Sequence, residues 1–98
     1  MLIRSQNKHS LINLDNVTRL SVGRMYGKDN TDWLIEVDKR PFTECMGQYS
    51  TEAKAIKVLD MIQGSYNYCE FIKIAEQGIR KFDFTFQMPL DEEVILSN

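Results

Sequence analysis

Hydrophobic and polar positions follow a helical period in the middle of the chain. Between residues 50 and 63, apolar residues recur at steps of three and four, which is the spacing of one face of an α-helix. Ser50 can cap the free N–H groups of the first turn, and Glu52 suits the positive end of the helix dipole. The predicted apolar stripe consists of Ala55, Ile56, Leu59, Ile62 and Tyr66. A helix this short depends on packing, so a sheet elsewhere in the chain should cover the stripe.

The sequence leaves the end of this helix open. Gly64 and Ser65 lower helix propensity, by about 1 kcal/mol at the glycine, but they do not force a stop. Apolar residues continue the helical face as far as Arg80, so one long kinked helix and two consecutive helices both fit. We favour continuation with a kink.

Short segments with the strand period lie before the helix. The polar residues 6–9 separate two apolar runs, 2–5 and 10–14, which predicts a pair of strands. Three further strands are predicted at residues 17–26, 33–38 and 42–49, with turns between them. Gly23 is expected to mark a bulge, because glycine inside a strand usually signals a bend or a close approach.

Residues 82–88 alternate strictly between apolar and polar side chains, with three phenylalanines and Met88 on one side. Pro89 ends this strand because it cannot donate a ladder hydrogen bond. We therefore predict one α+β domain spanning residues 1–98. It should be an antiparallel β-meander of about five strands, with the main helix packed on one face and the C-terminal strand returning to the sheet.

The composition is that of a globular protein that folds without a metal ion or a disulfide. Of the 98 residues, 43% are hydrophobic and 27% are charged, and no low-complexity tract is present. Cys45 and Cys69 match no zinc or C-x-x-C spacing, so we expect free thiols in a reducing compartment. The sequence has no signal-peptide core and no run of about 18 apolar residues, which predicts a cytoplasmic protein without a membrane segment.

No set of residues in the sequence specifies a reaction. His9 is the only histidine, it lies in a polar turn, and no second ligand stands at metal-binding spacing. The glycines are scattered and form no phosphate-binding loop. We therefore predict that the protein is not an enzyme, and we expect no catalytic residue, metal, cofactor or small-molecule substrate.

The charge distribution leaves nucleic acid as an alternative partner. Net charge is −2, yet residues 1–30 carry five lysines and arginines against two aspartates. A nucleic-acid-binding function would need these basic residues on one surface. The candidates are Arg4, Lys8, Arg19, Arg24 and Lys28. The acidic overall balance disfavours nucleic acid, and solvated side chains explain the basic residues more simply.

Three passages resemble a family of small uncharacterised proteins found in Gram-positive bacteria, their phages and other mobile elements. The passages are I-R-S-Q at residues 3–6, G-Q-Y-S-T-E and V-L-D-M-I-Q within residues 47–63, and F-Q-M-P and D-E-E-V within residues 86–94. The resemblance covers both ends and the middle of the chain. It implies a phage-related cellular setting and names no chemistry.

We interpret the chain as a non-enzymatic protein-interaction or regulatory module of a phage or mobile element. A nucleic-acid-binding accessory protein that uses the basic N-terminal third is the alternative. The candidate partner-binding residues are Arg4, Ser5 and Gln6 near the start, and Asp91, Glu92, Glu93 and Val94 near the end. No turn requires the first three, although bonding to neighbouring backbone would also explain them.

Residues 90–98 form a candidate docking tail. Val94, Ile95 and Leu96 are three adjacent apolar residues, and a solvated terminus usually lacks such a run. They should cover the chain's own sheet, or pair with a second copy or another partner. We favour a homodimer, because a meander has exposed edges and twofold pairing is the commonest closed assembly.

Overall fold

A computed structural model describes the backbone of residues 1–25, 31–75 and 84–96, and the side chains of these residues except 73–75. The described part of the chain contains one helix and six strands, in the α+β class that the sequence predicts. The elements are β1 (Leu2–Arg4), β2 (Leu11–Asn13), β3 (Arg19–Arg24), β4 (Trp33–Lys39), β5 (Phe42–Tyr49), α1 (Glu52–Ala75) and β6 (Thr85–Gln87). Single 3-10 turns lie at Leu14–Asn16 and Asp91–Glu93.

Strands β3, β4 and β5 form an antiparallel meander, in agreement with the period-two pattern of the sequence. The register shifts in the middle of the β4–β5 pair. Ile35 pairs with Gly47, whereas Glu36 pairs with Cys45. Met46 is therefore the extra residue of a β-bulge, and its carbonyl is available to a group outside the sheet.

The bulge predicted at Gly23 is wrong, because β3 keeps a regular register there and pairs Gly23 with Leu34. Close approach of another side chain explains the glycine instead. A Cβ atom at this position would lie 2.8 Å from Oε1 of Glu36. Any larger residue would force the Glu36 side chain to move.

A second sheet has the strand order β2-β1-β6. Strands β1 and β2 are the predicted antiparallel pair, with Ile3 opposite Ile12. Strand β6 pairs with β1 in parallel, with Phe86 opposite Ile3. The structure thus differs in detail from a single five-stranded sheet, because the C-terminal strand joins the N-terminal hairpin instead of the meander. Thr85 begins this strand, and Phe82 lies outside the described residues.

Helix α1 runs from Glu52 to Ala75 and continues through Gly64 without a break. A Cβ atom at Gly64 would meet no other atom within 4 Å, so packing does not require the glycine. The N-cap residue is Thr51, whereas the sequence pattern predicted Ser50. The Lys54 N–H donates to Oγ1 of Thr51 at 3.2 Å, which satisfies one free donor of the first turn.

The buried face of α1 is rotated relative to the predicted stripe. Ala55 and Ile62 are buried as expected, but Val58 is fully buried and Ile56 is 42% exposed. Leu59 is half-buried and packs against the core. This face lies against β3, β4 and β5, so the meander covers the helix as the amphipathic pattern requires.

One hydrophobic core joins the helix to both sheets. Besides the helix residues, its most buried large side chains are Ile35 and Val37 of β4, Met46 and Tyr49 of β5, Ile3 of β1, and Met88 after β6. The Gln6 N–H, in the turn after β1, donates to the Met46 carbonyl, so the second sheet approaches the edge strand β5 at the bulge. The candidate sites lie beside that junction.

Candidate functional site

Ser5 is buried, and its polar atoms are used within the chain. Its hydroxyl donates to Oδ1 of Asn7 at 2.7 Å and accepts from the Ser10 N–H at 3.0 Å. Its carbonyl accepts from the Lys8 N–H at 2.9 Å and from Nε2 of Gln87 at 3.0 Å. These bonds close the turn between β1 and β2 and attach it to β6, as the local-bonding explanation of this residue expects.

Gln6 joins the second sheet to the edge of β5. Its N–H donates to the carbonyl of Met46, the bulge residue, at 2.8 Å. Its side-chain Nε2 donates to the carbonyls of Gln48 at 3.1 Å and Pro89 at 3.0 Å, and its Oε1 accepts from the Gln48 N–H at 2.9 Å. The three hydrogen-bonding groups of Gln6 that face this edge are therefore used to hold the fold together.

Arg4 is exposed, and its Nε donates to the carbonyl of Lys8 at 3.2 Å. Lys8 has a φ of 69°, a left-handed conformation that shapes the tight turn. Of the first three partner-binding candidates, Arg4 alone is exposed, because Ser5 is buried and Gln6 is half-buried. Partner binding by this arginine stays a prediction.

The second candidate group lies on a C-terminal strap, defined here as residues 89–96. The Pro89 carbonyl accepts from the buried Tyr49 hydroxyl at 2.8 Å as well as from Gln6. Burial raises the pKa of the Tyr49 hydroxyl, so it remains a neutral donor. This pair of bonds fixes the start of the strap against the end of β5.

Asp91 attaches the strap to the corner between β5 and α1. One carboxylate oxygen accepts from the Ser50 N–H at 2.8 Å and from the Ser50 hydroxyl at 3.0 Å. The Lys54 ammonium lies 3.4 Å from the other carboxylate oxygen and donates to the Asp91 carbonyl at 3.1 Å. These bonds, first among them the one from the Ser50 N–H, lower the pKa of the Asp91 carboxyl.

The sequence indicated Asp91 as a partner-binding candidate, but it did not indicate the residues that Asp91 contacts, Ser50 and Lys54. Ser50 and Thr51 are both possible helix caps in the sequence, and the structure uses only Thr51. The second hydroxyl at the helix start is the one signal that could have indicated another role for Ser50. Its partner, Asp91, is 41 residues away in sequence, so no local pattern could predict the contact between Ser50 and Asp91.

The remainder of the strap exposes large apolar side chains. Val94 is buried at 6% exposure, but Leu90 is 44%, Ile95 76% and Leu96 45% exposed. Glu92 and Glu93 are also exposed, and one oxygen of Glu93 accepts from the Leu90 N–H at 2.8 Å. The tail therefore docks on its own chain through Asp91 and Val94, while an acidic and apolar surface faces solvent.

An apolar groove lies between the second half of α1 and β6. It has a volume of about 540 Å³, and its main apolar side chains are Met61, Tyr68, Phe84 and Phe86. The rings of Tyr68 and Phe84 meet edge to face at 6.0 Å. A groove of this size is within the range of ligand sites, but it brings together none of the candidate residues.

The basic candidates on β3 do not share a face. Arg19 and Arg24 are five positions apart on one strand, so their side chains leave opposite sides of the sheet. Arg19 lies 3.3 Å from a carboxylate oxygen of Asp38, and the Arg24 guanidinium lies 5.5 Å from the centre of the Trp33 ring. Lys28 falls outside the described residues. The nucleic-acid alternative lacks the common basic surface that it needs from this strand.

Other reactive groups are scattered. His9 is exposed in the turn after β1, and Cys45 and Cys69 do not form a disulfide. Cys45 is exposed, but partial burial of its thiol raises the pKa, which lowers the fraction of reactive thiolate. Within residues 1–25, 31–75 and 84–96, no group of three metal-ligating side chains comes together. No helix in these ranges has the length and hydrophobicity to cross a membrane.

Comparisons with known proteins identify no relative of this chain. No protein-family model matches the chain. No curated protein matches it, and no solved structure does. The resemblance to small proteins of Gram-positive bacteria and phages stays a prediction.

Proposed function

We propose that this protein is a non-enzymatic protein-interaction module of a phage or mobile element, and that it binds its partner through the exposed side of the C-terminal strap. The observation that carries the proposal is the combination of exposed Leu90, Ile95 and Leu96 with Asp91, Glu92 and Glu93 on one short segment. The phage-related setting rests on the sequence resemblance alone.

The apolar side chains supply the affinity in this proposal. Full burial of a leucine or isoleucine side chain contributes about 1.5–3 kcal/mol. Ile95 and Leu96 are adjacent and both exposed, so a partner that covers them gains a compact apolar contact. Single exposed apolar residues are common on protein surfaces, but a cluster on a segment with defined geometry is typical of interaction sites.

The acidic side chains define the partner's chemistry. Glu92 and Glu93 are exposed directly before the apolar residues. A complementary surface is a shallow apolar groove with lysine or arginine residues at one end, because opposite charges favour encounter and fix the orientation of the bound segment. The bonds to Pro89 and Asp91 hold the strap against its own chain, with Glu92, Ile95 and Leu96 turned to solvent.

A second copy of the chain is one partner that this proposal includes, as in the predicted homodimer. Light scattering of the full-length protein over a range of concentrations determines whether the mass doubles. A doubled mass that returns to the monomer value when Ile95 and Leu96 are both changed to serine supports self-association through the strap. A constant monomer mass excludes the homodimer and leaves a different protein as the partner.

Affinity capture with matched variants tests the proposal. Full-length wild type, the double variant Ile95→Ser/Leu96→Ser and the control Phe42→Ser are immobilised and exposed to lysate of the organism that carries the gene. Phe42 is 73% exposed on β5, outside the strap. We expect a protein that binds wild type and Phe42→Ser but not the double variant. Equal capture by all three forms, or capture lost only with Phe42→Ser, would overturn the assignment to the strap.

A further inference from the structure

The strap is held at two places by different kinds of contact. At its start, the Pro89 carbonyl accepts two hydrogen bonds from buried or half-buried side chains, Tyr49 and Gln6. Beyond Pro89, the attachments seen among the described residues are the polar contacts of Asp91 and the burial of Val94. Val94 is the one buried side chain among residues 90–96, whereas Ile35 and Val37 of β4 are both almost completely buried.

The attached residues face away from the exposed ones. Val94 is turned into the core, whereas its neighbours Ile95 and Leu96 are turned to solvent. Asp91 is engaged by Ser50 and Lys54, whereas Glu92 is exposed. A partner in contact with the docked strap can use only one side of it, and a partner that takes the whole segment must displace these internal contacts.

We propose that residues 90–96 switch between a docked state, in which the corner between β5 and α1 holds Asp91 and Val94, and a released state. In the released state the segment L-D-E-E-V-I-L presents all of its carboxylates and apolar side chains to the partner protein. The docked state is then an autoinhibitory contact, since Ser50 and Lys54 compete with the partner's basic groups for Asp91. This inference rests on the proposed function for its partner but not for the existence of the two states.

The groups around Asp91 determine the balance between these states. Lys54 of α1 attracts its carboxylate at 3.4 Å, and Tyr49 of β5 and Glu93 of the strap lie near enough to interact electrostatically within the same cluster. The Ser50 N–H and hydroxyl supply the direct bonds. Local opening breaks these contacts and exposes the buried side chain of Val94. It leaves the core between the helix and the meander intact.

Native-state hydrogen exchange of the full-length protein tests the switch. The informative amides are those of Ser50, which donates to Asp91, and of Glu93 and Val94, which donate to carbonyls within the strap. In the wild type we expect these three amides to exchange faster than those of Ile35 and Val37 in β4. Exchange of all five at one common rate, set by global unfolding, would overturn the proposal without the need for any variant.

Two variants assign the docked state to the Asp91 carboxylate. Asp91→Ala should accelerate exchange at Ser50, Glu93 and Val94 by at least about tenfold, because it removes charge-assisted bonds. The matched control Glu92→Gln changes an exposed neighbouring carboxylate and should leave these rates unchanged. Equal acceleration by both variants, or acceleration that extends equally to β4, would contradict a strap governed by Asp91.

The outcomes also separate this inference from the proposed function. If the strap opens locally but affinity capture recovers no strap-dependent partner, the switch stands and the interaction function fails. If a partner binds through Ile95 and Leu96 while the strap opens only on global unfolding, the function stands and the switch fails. If Lys54→Ala, which weakens docking but leaves the Asp91 carboxylate for the partner, binds the captured partner more tightly than wild type, the docked state is autoinhibitory. Unchanged or weaker binding of that variant would contradict autoinhibition.

Discussion

The side chain of Gln6 pairs with the backbone of Gln48 in the way that a neighbouring strand would. Its Nε2 donates to the Gln48 carbonyl at 3.1 Å while its Oε1 accepts from the Gln48 N–H at 2.9 Å. One amide side chain thereby satisfies both open backbone groups of an edge residue of β5. The same Nε2 also reaches the Pro89 carbonyl at 3.0 Å, so Gln6 connects both sheets and the strap.

Gln6→Ala should therefore destabilise the protein although Gln6 is only half-buried. The variant leaves the N–H and carbonyl of Gln48 without their side-chain partner and removes one of two donors to Pro89. We expect a loss of about 1–3 kcal/mol in the free energy of unfolding, which for a domain of this size lowers Tm by about 4–8 °C per kcal/mol. Denaturant unfolding measures the loss, and Gln63→Ala on the exposed side of α1 is the matched control. Equal stability of the two variants would show that Gln6 does not join the sheets.

The rotation of α1 makes opposite predictions for two isoleucines. Ile62 is 2% exposed and Ile56 is 42% exposed. Ile62→Ala should cost about 2–5 kcal/mol, since it removes buried methyl groups and leaves a cavity. Ile56→Ala should cost less than about 1 kcal/mol, because alanine has a high helix propensity and little burial is lost. Comparable losses in thermal unfolding would mean that the helix packs with the face that the sequence pattern first indicated.

Tyr49→Phe isolates the bond at the start of the strap. Tyr49 is fully buried and its hydroxyl donates to the Pro89 carbonyl, so phenylalanine retains the ring and loses one buried hydrogen bond. We expect a cost of about 1 kcal/mol, measured by denaturant unfolding. Tyr68→Phe is the control, since that ring is 58% exposed, and it should be nearly neutral. A neutral Tyr49→Phe would indicate that Gln6 alone holds Pro89.

The Asp91 contacts predict a specific dependence on pH. Bonds from Ser50, together with Lys54, lower the pKa of the Asp91 carboxyl below its ordinary value of 3.8. The stabilisation from this group is fully present above 3.8 and is lost as the pH falls through the lowered folded-state value. Tm should therefore differ between wild type and Asp91→Ala at neutral pH, and the difference should shrink under acidic conditions. A difference that persists unchanged into strong acid would contradict a charge-dependent contact.

Local patterns in the sequence predicted the faces of the elements better than their partners. Apolar residues alternate along residues 33–38, and Ile35 and Val37 on one face of this strand are both buried, because strand geometry alone determines which side chains share a face. The helix pattern allowed two phases, since Ile56 and Val58 are both apolar, and only tertiary contacts decided between them. The same limit applies to β6. The alternation of its residues predicted a strand, but nothing in the sequence indicated that this strand pairs in parallel with β1.

The candidate site shows this limit more strongly. Gln6 is separated from Gln48 by 42 positions and from Pro89 by 83, so no local pattern could indicate its structural role. Asp91 and Val94 were selected from the composition of the tail, and the structure shows that Asp91 bonds to Ser50 and Lys54 while Val94 is buried in the core. The exposure of Ile95 and Leu96 depends on that docking. The exposure of Ile95 and Leu96 could not be inferred from a run of three adjacent apolar residues.

Hydrogen exchange of the full-length protein with and without its captured partner tests the central claim most directly, because it locates the interface residue by residue. The proposed interaction predicts new protection at residues 90–96, with no comparable change at the groove between α1 and β6 or along β3. Protection confined to the groove or to β3, with unchanged exchange in the strap, would contradict binding through the strap.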